Sequence, residues 1–363
     1  MQAQPGSRNL LKAVAFPLVA ALLSLLLVGL VLEAGLRIAG YSPGNVNPLK
    51  AFHQYDPLLG HIGKKGYSGY FRRPEFNASV VHDSRGFRKQ EYAVGKNEAL
   101  PAIHVLGDSF TWGWGVSQGE VFTDRMNRLL PEYRVLNYGI NGVGTVVEFQ
   151  LFSTMIKPVL KKGDIVLVMV FNNDFTDNVN TRDVHAEISS GKVVLVNSAG
   201  RFESPVQEFM ASHSYLYNYL AYKINLYQLS RKRRVDNDEV AGGDIGASDP
   251  RYVVMKHYLE LFRQDCAAQG ARFVAVYIPG QSELGEAARQ KPNKLANEIR
   301  YHNAFKAISQ SAGCETLDLL PGFEAYRKQH QERLTFPNDE HWNPAGHDEA
   351  ARLIQEYLFK NRK

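Results

Sequence analysis

The sequence has few cysteines and little excess charge of either sign. Only two of its 363 residues are cysteine, which excludes a disulfide-stapled scaffold and a metal site made of cysteines alone. Its net charge of +5, from 42 basic and 37 acidic residues, is too small and too diffuse to indicate a nucleic-acid partner. Glycine and proline, at 30 and 16 residues, are too few for a collagen-like or wholly disordered chain. We therefore expect a folded globular protein with a core of substantial size.

One apolar run stands near the N-terminus of a chain whose mean hydropathy of −0.29 argues against many membrane spans. Residues 13–32 carry no charge, and at about 1.5 Å per residue a helix of that length crosses a hydrocarbon core of about 30 Å. Helical sequence continues beyond the run, so we predict one transmembrane helix at 13–35. A cleaved secretory signal is the alternative.

The residues that flank this helix indicate its orientation. Arg8 and Lys12 precede the run with no acidic residue among them, which favours a cytoplasmic N-terminus at residues 1–12. The rest of the chain would then lie in the periplasm or outside the cell, held at the inner (plasma) membrane by a single span. In that compartment Cys266 and Cys314 fit either a persistent disulfide or two buried free thiols.

Two different patterns follow the helix. Residues 36–100 are rich in glycine, proline, aromatic and charged residues with no long helical period, so we expect an extended lead-in packed on the next domain. From 101 to 363, apolar strands alternate with helical stretches such as 119–130 and 144–161, which is typical of βαβ units. This domain is expected to be an α/β fold, a doubly wound sheet of about five parallel strands with helices on both faces. The strands are predicted at 102–107, 134–139, 164–171, 272–278 and 315–320.

A long stretch without such strands, at about 178–250, is interpreted as an insertion that carries specificity or contacts. Within it, 189–200 indicates a hairpin, 214–234 a helix with an aromatic side, and 235–250 a polar, glycine-rich linker. The basic run at 231–234 fits a solvated helix end or a contact with anionic lipid or polysaccharide.

Polar residues follow the predicted strands at the place where a parallel sheet binds its ligands. In an open α/β sheet that place lies just beyond the carboxyl ends of the strands. Ser109 lies on the turn after the first strand, Gly142 follows the second and Asn173 follows the third. Asp339 and His341 stand just before a predicted C-terminal helix.

These residue types suit nucleophilic catalysis. A serine hydroxyl is a poor nucleophile unless an imidazole takes its proton, and the imidazole needs a carboxylate to fix its tautomer and stabilise its charge. His341 and Asp339 offer both groups from one loop. A glycine lets a backbone N–H approach a substrate, and an asparagine amide can donate to an oxyanion. A plain turn at Gly142 and a turn cap at Asn173 are the structural alternatives.

These four blocks, in this order, resemble the SGNH (GDSL) hydrolases, a flavodoxin-like α/β group of esterases, lipases and carbohydrate O-acyl transferases. The sequence reads GDS at 107–109, has an asparagine followed five residues later by Gly142, reads FNND at 171–174, and reads DEHW at 339–342. The resemblance covers roughly 102–360.

The resemblance implies a role for each matched residue. Ser109 is expected to be the nucleophile, His341 the base and Asp339 the acid that orients it. The backbone N–H groups of Ser109 and Gly142, with the side-chain amide of Asn173, are expected to form the oxyanion hole.

Two residues depart from the commoner family pattern. The acid usually stands three residues before the histidine, but that residue is Asn338, so Asp339 takes the role from two residues before. The resulting D-x-H-W form is similar to the branch that includes alginate O-acetylation proteins, which favours an acylated carbohydrate as substrate. Phe171 replaces the first glycine of the third block, which leaves the path of that loop open.

Several neighbouring residues have alternative interpretations. His347 is either a second candidate base or a solvated helix-surface histidine, and Asp108 and Asp174 are expected to hydrogen-bond their own loops. Trp112 and Trp114 fit sugar stacking and core packing equally well. The histidines lack the i, i+4 spacing of a zinc helix, so no metal is expected.

We therefore expect a membrane-anchored serine ester hydrolase or acyltransferase. It would act on short acyl (O-acetyl) esters of an envelope or exported polysaccharide through an acyl-enzyme, without a cofactor. The expected partners are an acylated carbohydrate or other ester, the membrane and, as a further candidate, a membrane-bound acyl donor, with no nucleic acid. The alternatives are a lipase or lysophospholipase, and a non-catalytic scaffold or carbohydrate-binding partner of a membrane complex.

Overall fold

The computed structural model describes most of the chain, in nine stretches. They are 6–40, 52–91, 98–180, 184–197, 205–221, 223–224, 227, 245–287 and 292–360. The basic run at 231–234 and most of the predicted linker lie outside the described residues. Contacts divide the chain into one unit of residues 1–51 and 204–232 and a second of 52–203 and 233–363.

The described helices and strands are numbered here in chain order. The helices are α1 (Gly6–Ile38), α2 (Ser109–Trp112), α3 (Phe122–Leu129), α4 (Thr145–Leu151), α5 (Asp174–Asn180), α6 (Pro205–His213), α7 (Pro250–Ala268), α8 (Pro292–Ser311), α9 (Leu320–His330) and α10 (Pro344–Phe359). The strands are β1 (His53–Asp56), β2 (Gly60–Gly63), β3 (Ser68–Arg73), β4 (Phe76–Val81), β5 (Ala102–Gly107), β6 (Arg134–Gly139), β7 (Ile165–Val170), β8 (Val184–Ser189), β9 (Lys192–Asn197), β10 (Arg272–Tyr277) and β11 (Glu315–Asp318).

The apolar N-terminal run forms α1 in the first unit. Its stretch Ala15–Ile38 has 24 residues, reaches a mean hydropathy of 2.7 and buries none of its most apolar window. This length and composition make it a candidate for a single membrane span, and a signal sequence would have the same properties. The unit also contains α6 and the residues that follow it.

The central sheet has the predicted parallel architecture. Its strand order is β11-β10-β7-β5-β6, with all four pairings parallel. This is the flavodoxin-like order, in which the chain moves from β5 to β6 on one side and then to β7 on the other. Ligands of such sheets bind in the crevice where the order reverses. That crevice lies between the carboxyl ends of β5 and β7.

The boundaries of the strands agree closely with those predicted from hydrophobic pattern. β5 and β6 match to the residue, and β7, β10 and β11 match within two residues. The strands β5 and β7 are buried along their whole length, as continuous apolar strands covered by helices should be. The predicted helix at 144–161 is α4 followed by a π-helical turn at 152–156 and a 3₁₀ turn at 157–159. Pro158 cannot continue an α-helix there.

Helices cover both faces of the sheet and create two apolar cores. The core on one face is built with α4, α7 and α8, and the core on the other with α3, α9 and α10. The two cysteines, Cys266 and Cys314, are free thiols in this structure. Burial raises the pKa of the Cys266 thiol to about 12 and that of Cys314 to about 11.

Among the residues that the structure describes, three antiparallel hairpins lie outside the central sheet, and all three belong to the second unit. The predicted lead-in contains β1–β2 and β3–β4, and the predicted insertion contains β8–β9. Phe52 stacks on Trp112 with ring centroids 5.0 Å apart, and both side chains are buried. The lead-in therefore packs on the turn that carries Ser109.

A glycine at the end of β6 allows α2 to approach the sheet. A Cβ at Gly139 would lie 2.2 Å from the backbone nitrogen of Trp112 and 2.6 Å from the carbonyl carbon of Thr111. Backbone atoms cannot swing aside as a side chain can. We therefore expect Gly139→Ala to lower the free energy of unfolding by about 3 kcal/mol, as overpacked substitutions do. Thermal or denaturant unfolding of the full chain in detergent measures this.

Gly246→Ala is the matched control, because no atom of the described residues lies within 4 Å of its Cβ position. It should change stability by no more than about 0.5 kcal/mol. Equal effects of the two substitutions would contradict the close approach at Gly139.

Candidate active site

A tight turn after β5 presents Ser109. The carboxylate of Asp108 accepts a hydrogen bond from the backbone N–H of Phe110 at 2.9 Å and caps the single-turn helix α2. Gly107 has a φ of +156°, and a Cβ there would lie 2.1 Å from the hydroxyl oxygen of Thr111. Glycine is therefore needed at the end of the strand, and the turn has little freedom to move the serine.

The structure brings Ser109, His341 and Asp339 together in one hydrogen-bonded chain. The Oγ atom of Ser109 lies 2.7 Å from Nε2 of His341. The other ring nitrogen of His341, Nδ1, contacts Oδ1 of Asp339. With its proton on Nδ1, the imidazole donates to the carboxylate and accepts from the serine hydroxyl. This arrangement is the one required of a general base that activates a serine.

An acid two residues before the histidine reaches it because the chain turns back on itself. Oδ1 of Asp339 also accepts the backbone N–H of His341 at 3.0 Å, as in an Asx turn. Asn338 faces elsewhere, and both its backbone N–H and its side-chain amide donate to the carboxylate of Glu75 in the β3–β4 turn. The departure from the commoner family spacing is thus accommodated locally.

Trp114 contacts both this carboxylate and the imidazole. This role is neither of the two that the sequence suggested for it, sugar stacking and core packing. Its indole N–H donates to Oδ2 of Asp339 at 3.0 Å, and its ring stacks on that of His341 with centroids 5.1 Å apart. Burial raises the pKa of Asp339, but the hydrogen bonds and charge of His341 and the bond from Trp114 outweigh this and lower it to about 2. Asp339 therefore stays ionised over the whole range in which a histidine titrates.

Two buried polar residues hold the loop that carries His341 near its start. The carboxylate of Glu286 accepts the backbone N–H groups of Leu334 and Thr335, each at 2.9 Å. The side-chain amide of Gln281 donates to the carbonyl oxygen of Phe336 at 2.7 Å. Both residues follow β10. Their role was not predicted, because nothing in the local sequence links them to a loop some fifty positions away.

Gly142 lies on the loop after β6 in a conformation that favours glycine. Its φ is +69°, and in the described part of the chain no atom lies within 4 Å of the position that a Cβ would take. The preceding residue, Asn141, is buried, and two histidines of the lead-in contact it. Its side-chain amide donates to Nε2 of His53 at 3.0 Å, and its carbonyl oxygen accepts from Nε2 of His61 at 2.7 Å. The loop is therefore fixed just before the predicted donor.

Asn173 follows β7 and faces the serine turn. Its amide nitrogen donates to Oδ2 of Asp177 at 2.9 Å, and its side chain is close enough to Asp108 to lower the pKa of that carboxyl group. Phe171, which replaces the family's glycine, packs its ring 4.6 Å from that of Phe110. Its backbone N–H donates to Asp174 at 2.9 Å. The loop thus keeps Asn173 beside the residue next to Ser109.

Three buried carboxyl groups lie behind the serine turn. Asp108, Glu148 and Asp174 are each at most 1% exposed, and neither oxygen of Glu148 has a hydrogen-bond partner among the described residues. Burial, with a smaller contribution from the charge of Asp177, raises the pKa of Asp108 to about 6. Burial and repulsion by neighbouring carboxyl groups hold the pKa values of Glu148 and Asp174 well above the usual range. Asp108 and Asp174 bond their own loops as expected, but the cluster with Glu148 was not predicted.

The remaining candidates lie outside the serine, histidine and aspartate chain. His347 is buried rather than solvated, because its face of α10 packs on α3, and its Nδ1 accepts the backbone N–H of Phe122 at 3.3 Å. Burial and nearby cations lower its pKa to about 3. Trp112 is a core residue whose indole contacts His82. Within the part of the chain described, no group of three or more His, Cys, Asp or Glu side chains is arranged to hold a metal ion.

Comparison with known proteins identifies the family. The sequence profile of the GDSL-like lipase/acylhydrolase family matches residues 105–349. The chain therefore belongs to this family of hydrolases, the GDSL or SGNH group, which acts on ester bonds. No curated protein sequence matches the chain.

Solved structures include similar folds at low sequence identity. The acetyl xylan esterase AlAXEase is 11% identical, with a TM-score of 0.42, over 71% of this chain and 99% of its own. Axe2, an acetylxylan esterase from Geobacillus stearothermophilus, is 13% identical, with a TM-score of 0.40, over 71% of this chain and 94% of its own. A lipolytic G-D-S-L family protein from Veillonella parvula is 12% identical, with a TM-score of 0.40, over 72% of this chain and 98% of its own.

The buried cluster predicts a dependence of stability on pH. Folded Glu148 keeps its proton above the pH at which the unfolded chain releases it, so the folded state binds more protons and loses stability as the pH rises. Glu148→Gln removes this loss. The difference in free energy of unfolding between the variant and the parent should therefore increase in favour of the variant by about 1.4 kcal/mol per pH unit above roughly pH 4.5. The increase ends at the pH where folded Glu148 ionises.

Denaturant unfolding at several pH values between about 5 and 7 measures this difference. Glu98→Gln, at an exposed position, is the matched control. A stability difference between Glu148→Gln and the parent that does not change with pH would contradict the buried, protonated state of Glu148.

Proposed function

We propose that the protein is a membrane-anchored serine esterase or acyltransferase that acts on short acyl esters, such as O-acetyl groups, of an envelope or exported polysaccharide. The observation that carries the catalytic part of this proposal is the contact of 2.7 Å between Oγ of Ser109 and Nε2 of His341, with Asp339 behind the imidazole. A serine in this environment can form an acyl-enzyme.

The first half of the proposed reaction transfers the acyl group to Ser109. As Oγ attacks the ester carbonyl, Nε2 of His341 takes the hydroxyl proton and then gives it to the leaving alcohol oxygen of the sugar. Asp339 stabilises the imidazolium that forms between these two steps. Its lowered pKa keeps it charged, and Trp114 holds its second oxygen, so the carboxylate cannot rotate away from the ring.

Three donors are proposed to bind the oxyanion of the tetrahedral intermediate. They are the backbone N–H groups of Ser109 and Gly142 and the side-chain amide of Asn173. One N–H of the Asn173 amide donates to Oδ2 of Asp177, which sets the plane of the amide before substrate arrives, and the other N–H is proposed to donate to the oxyanion. Such preorganised donors stabilise developing charge without a cost of reorganisation at the moment of reaction.

The second half of the reaction releases the acyl group. His341 takes a proton from the incoming hydroxyl, which attacks the acyl-enzyme, and returns that proton to Oγ of Ser109. Hydrolysis uses water, whereas transfer uses an acceptor hydroxyl such as that of a sugar. A membrane-bound acyl donor is the proposed partner for transfer.

Two features support the proposed location and substrate. The helix α1 is long and apolar enough to anchor the chain, with residues 1–12 proposed to lie in the cytoplasm and the hydrolase domain in the periplasm. The D-x-H-W sequence at 339–342 resembles the branch of the family that includes alginate O-acetylation proteins, which supports an acylated polysaccharide.

A fluorophosphonate probe and a pair of p-nitrophenyl esters, one short and one long, test this function. The full chain in detergent should be labelled and should prefer the short ester, and Ser109→Ala should abolish both labelling and turnover. Ser153→Ala, at a serine that bonds only its own helix turn, is the control and should behave as the parent. Labelling that does not depend on Ser109 would refute an enzyme of this type, and a preference for the long ester would indicate a lipase or lysophospholipase.

Removal of one oxyanion donor should lower the rate without unfolding the chain. We expect Asn173→Ala to lower kcat about a hundredfold or more, since each such donor contributes about 2.7–4 kcal/mol to the barrier. Asn303→Ala, at an exposed asparagine of α8, is the control and should leave kcat unchanged. A kcat for Asn173→Ala within a factor of about two of that of the parent would show that Asn173 does not donate to the oxyanion.

A further inference from the structure

The insertion returns to the carboxyl end of the apolar helix and is fastened there. The carboxylate of Glu33 in α1 accepts hydrogen bonds from the backbone N–H groups of Tyr215 and Leu216, at 3.0 and 2.8 Å, and from the hydroxyl of Ser214 at 3.0 Å. These donors stand at the start of a second helical stretch that follows α6. An acidic side chain of α1 thus caps a helix of the insertion.

A cation of the same helix strengthens this attachment. Arg37 pairs with Glu33 at 2.7 Å and donates to the carbonyl oxygen of His213 at 2.8 Å. Its guanidinium also lies 4.3 Å from the centre of the Tyr215 ring. The described residues among 205–227 are named here the juxtamembrane segment. This segment is bonded to α1 through residues 213–216, by both an acidic and a basic residue of the helix.

The position of Glu33 in the sequence sets the depth of this attachment in a bilayer. The uncharged run at 13–32 has the twenty residues that a hydrocarbon core of about 30 Å requires. Glu33 is the first charged residue after it and so stands at the boundary between hydrocarbon and headgroups. The backbone at 214–216, within hydrogen-bond distance of Glu33, must then lie at the same level.

The juxtamembrane segment exposes the kinds of side chain that suit this level. Its apolar residues Val206, Phe209, Leu220 and Ile224 are each more than half exposed, as is Tyr227. The sequence between 215 and 227 contains five tyrosines. Tyrosine is enriched where membranes meet water, because its ring is apolar and its hydroxyl is polar.

We propose that the juxtamembrane segment lies in the headgroup layer of the membrane, with its exposed apolar side chains in contact with lipid. This proposal rests on the membrane anchoring proposed above and adds a second attachment to it. The occupant of the apolar surface is lipid, since the bonds to Glu33 and Arg37 place that surface beside the end of the span. Peripheral segments of this kind bind by buried apolar area at the interface.

Fluorescence quenching in nanodiscs tests the depth of the segment. The background is the full chain with Cys314→Ser. Single cysteines are introduced into it as Phe209→Cys, as Leu27→Cys in the middle of α1, or as Ile299→Cys on the hydrolase unit, and each carries a fluorescent label. Cys266 is buried and does not react. At residue 209, spin-labelled lipid should quench at least about twofold more strongly than a water-soluble quencher, as expected of an interfacial side chain.

The outcomes separate this proposal from the anchor itself. Lipid quenching at residue 27 with exposure to water at 209 overturns the interfacial segment and leaves the anchor intact. Exposure to water at both residues overturns both proposals. Protection of 209 from both quenchers indicates a protein partner in place of lipid and also overturns the proposal, as does equal lipid quenching at 209 and 299.

Two histidines of the β1–β2 hairpin hold the residue that precedes Gly142, and these contacts are independent of the juxtamembrane segment. His53 and His61 contact one buried residue, Asn141, on its side-chain amide and on its backbone carbonyl. Since an amide N–H donates, Nε2 of His53 must be unprotonated, whereas Nε2 of His61 must carry a hydrogen to donate to the carbonyl. The next residue along the chain is Gly142, whose backbone N–H is a proposed oxyanion donor.

The surroundings of His53 keep it neutral. Burial is the largest cause that lowers its pKa well below the usual value of a histidine, and the charges of the nearby His61, His82 and Lys64 lower it further. No acidic group is among the neighbours that shift its pKa. Its acceptor nitrogen is therefore available at neutral pH.

We infer that His53 and His61 are positioning residues that aim the backbone N–H of Gly142 at the oxyanion. The inference rests on the proposed function of Gly142. Loss of either hydrogen bond lets Asn141 and the following peptide move, which weakens stabilisation of the transition state more than binding of the substrate.

Two pairs of variants test this inference. Leucine at either position removes the hydrogen bond, whereas glutamine keeps an acceptor at 53 and a donor at 61. We expect His53→Leu and His61→Leu each to lower kcat about tenfold with little change in KM, and the glutamine variants to restore most of it. His330→Leu, at an exposed histidine of α9, is the control and should keep the parental kcat.

The kinetic pattern decides the outcome. The positioning role is overturned if the glutamine variants are no more active than the leucine variants. It is also overturned if the loss of kcat in each variant is proportional to the fraction of unfolded protein. If the parent turns over its ester through Ser109 and all four variants match its kcat, the inference fails and the proposed function remains. If the parent shows no turnover that depends on Ser109, the proposed function fails first.

Discussion

The site depends on one hydrogen bond, from Ser109 to His341, which joins residues 232 positions apart in the sequence. Such a contact can persist only if both of its ends are held independently. On one side, the turn at Ser109 packs against β6 at Gly139, where no side chain would fit. On the other, Glu286 and Gln281 fix the loop that carries His341 through buried hydrogen bonds to its backbone. The bond is thus a consequence of two rigid supports built on the same edge of the sheet.

The lead-in is part of this support, although it precedes the region that matches the family profile. Glu75 in its second hairpin accepts hydrogen bonds from Asn338, next to Asp339, and the histidines of its first hairpin contact Asn141, next to Gly142. Phe52 stacks on Trp112 behind the serine turn. Each of the three contacts reaches a residue close in sequence to a proposed catalytic one. The hairpins that precede the matched region therefore help to hold the geometry of the site.

The sequence was sufficient where the signal was local. Continuous apolar strands predicted β5 and β6 to the residue, and ordered motifs predicted that Ser109, His341 and Asp339 would meet. The observed roles of Trp114, Glu286 and His53 were not predicted, because they arise from contacts with loops 225, 48 and 88 positions away. His347 was expected in solvent on the helix surface, but packing of α10 on α3 buries it. Burial of Glu148 among other carboxyl groups likewise depends on which helices cover the sheet.

The most direct test of the central claim is capture of the acyl-enzyme. The full chain is mixed with an acetyl ester, quenched in acid within the first turnover and digested, and its peptides are weighed by mass spectrometry. The account predicts one acetyl group on the peptide that contains Ser109. That group should be absent in Ser109→Ala, and it should form far more slowly in His341→Ala, which lacks the base for the attack of the serine. Turnover of the ester with no acetyl group on Ser109, or with the group on another residue, would contradict it.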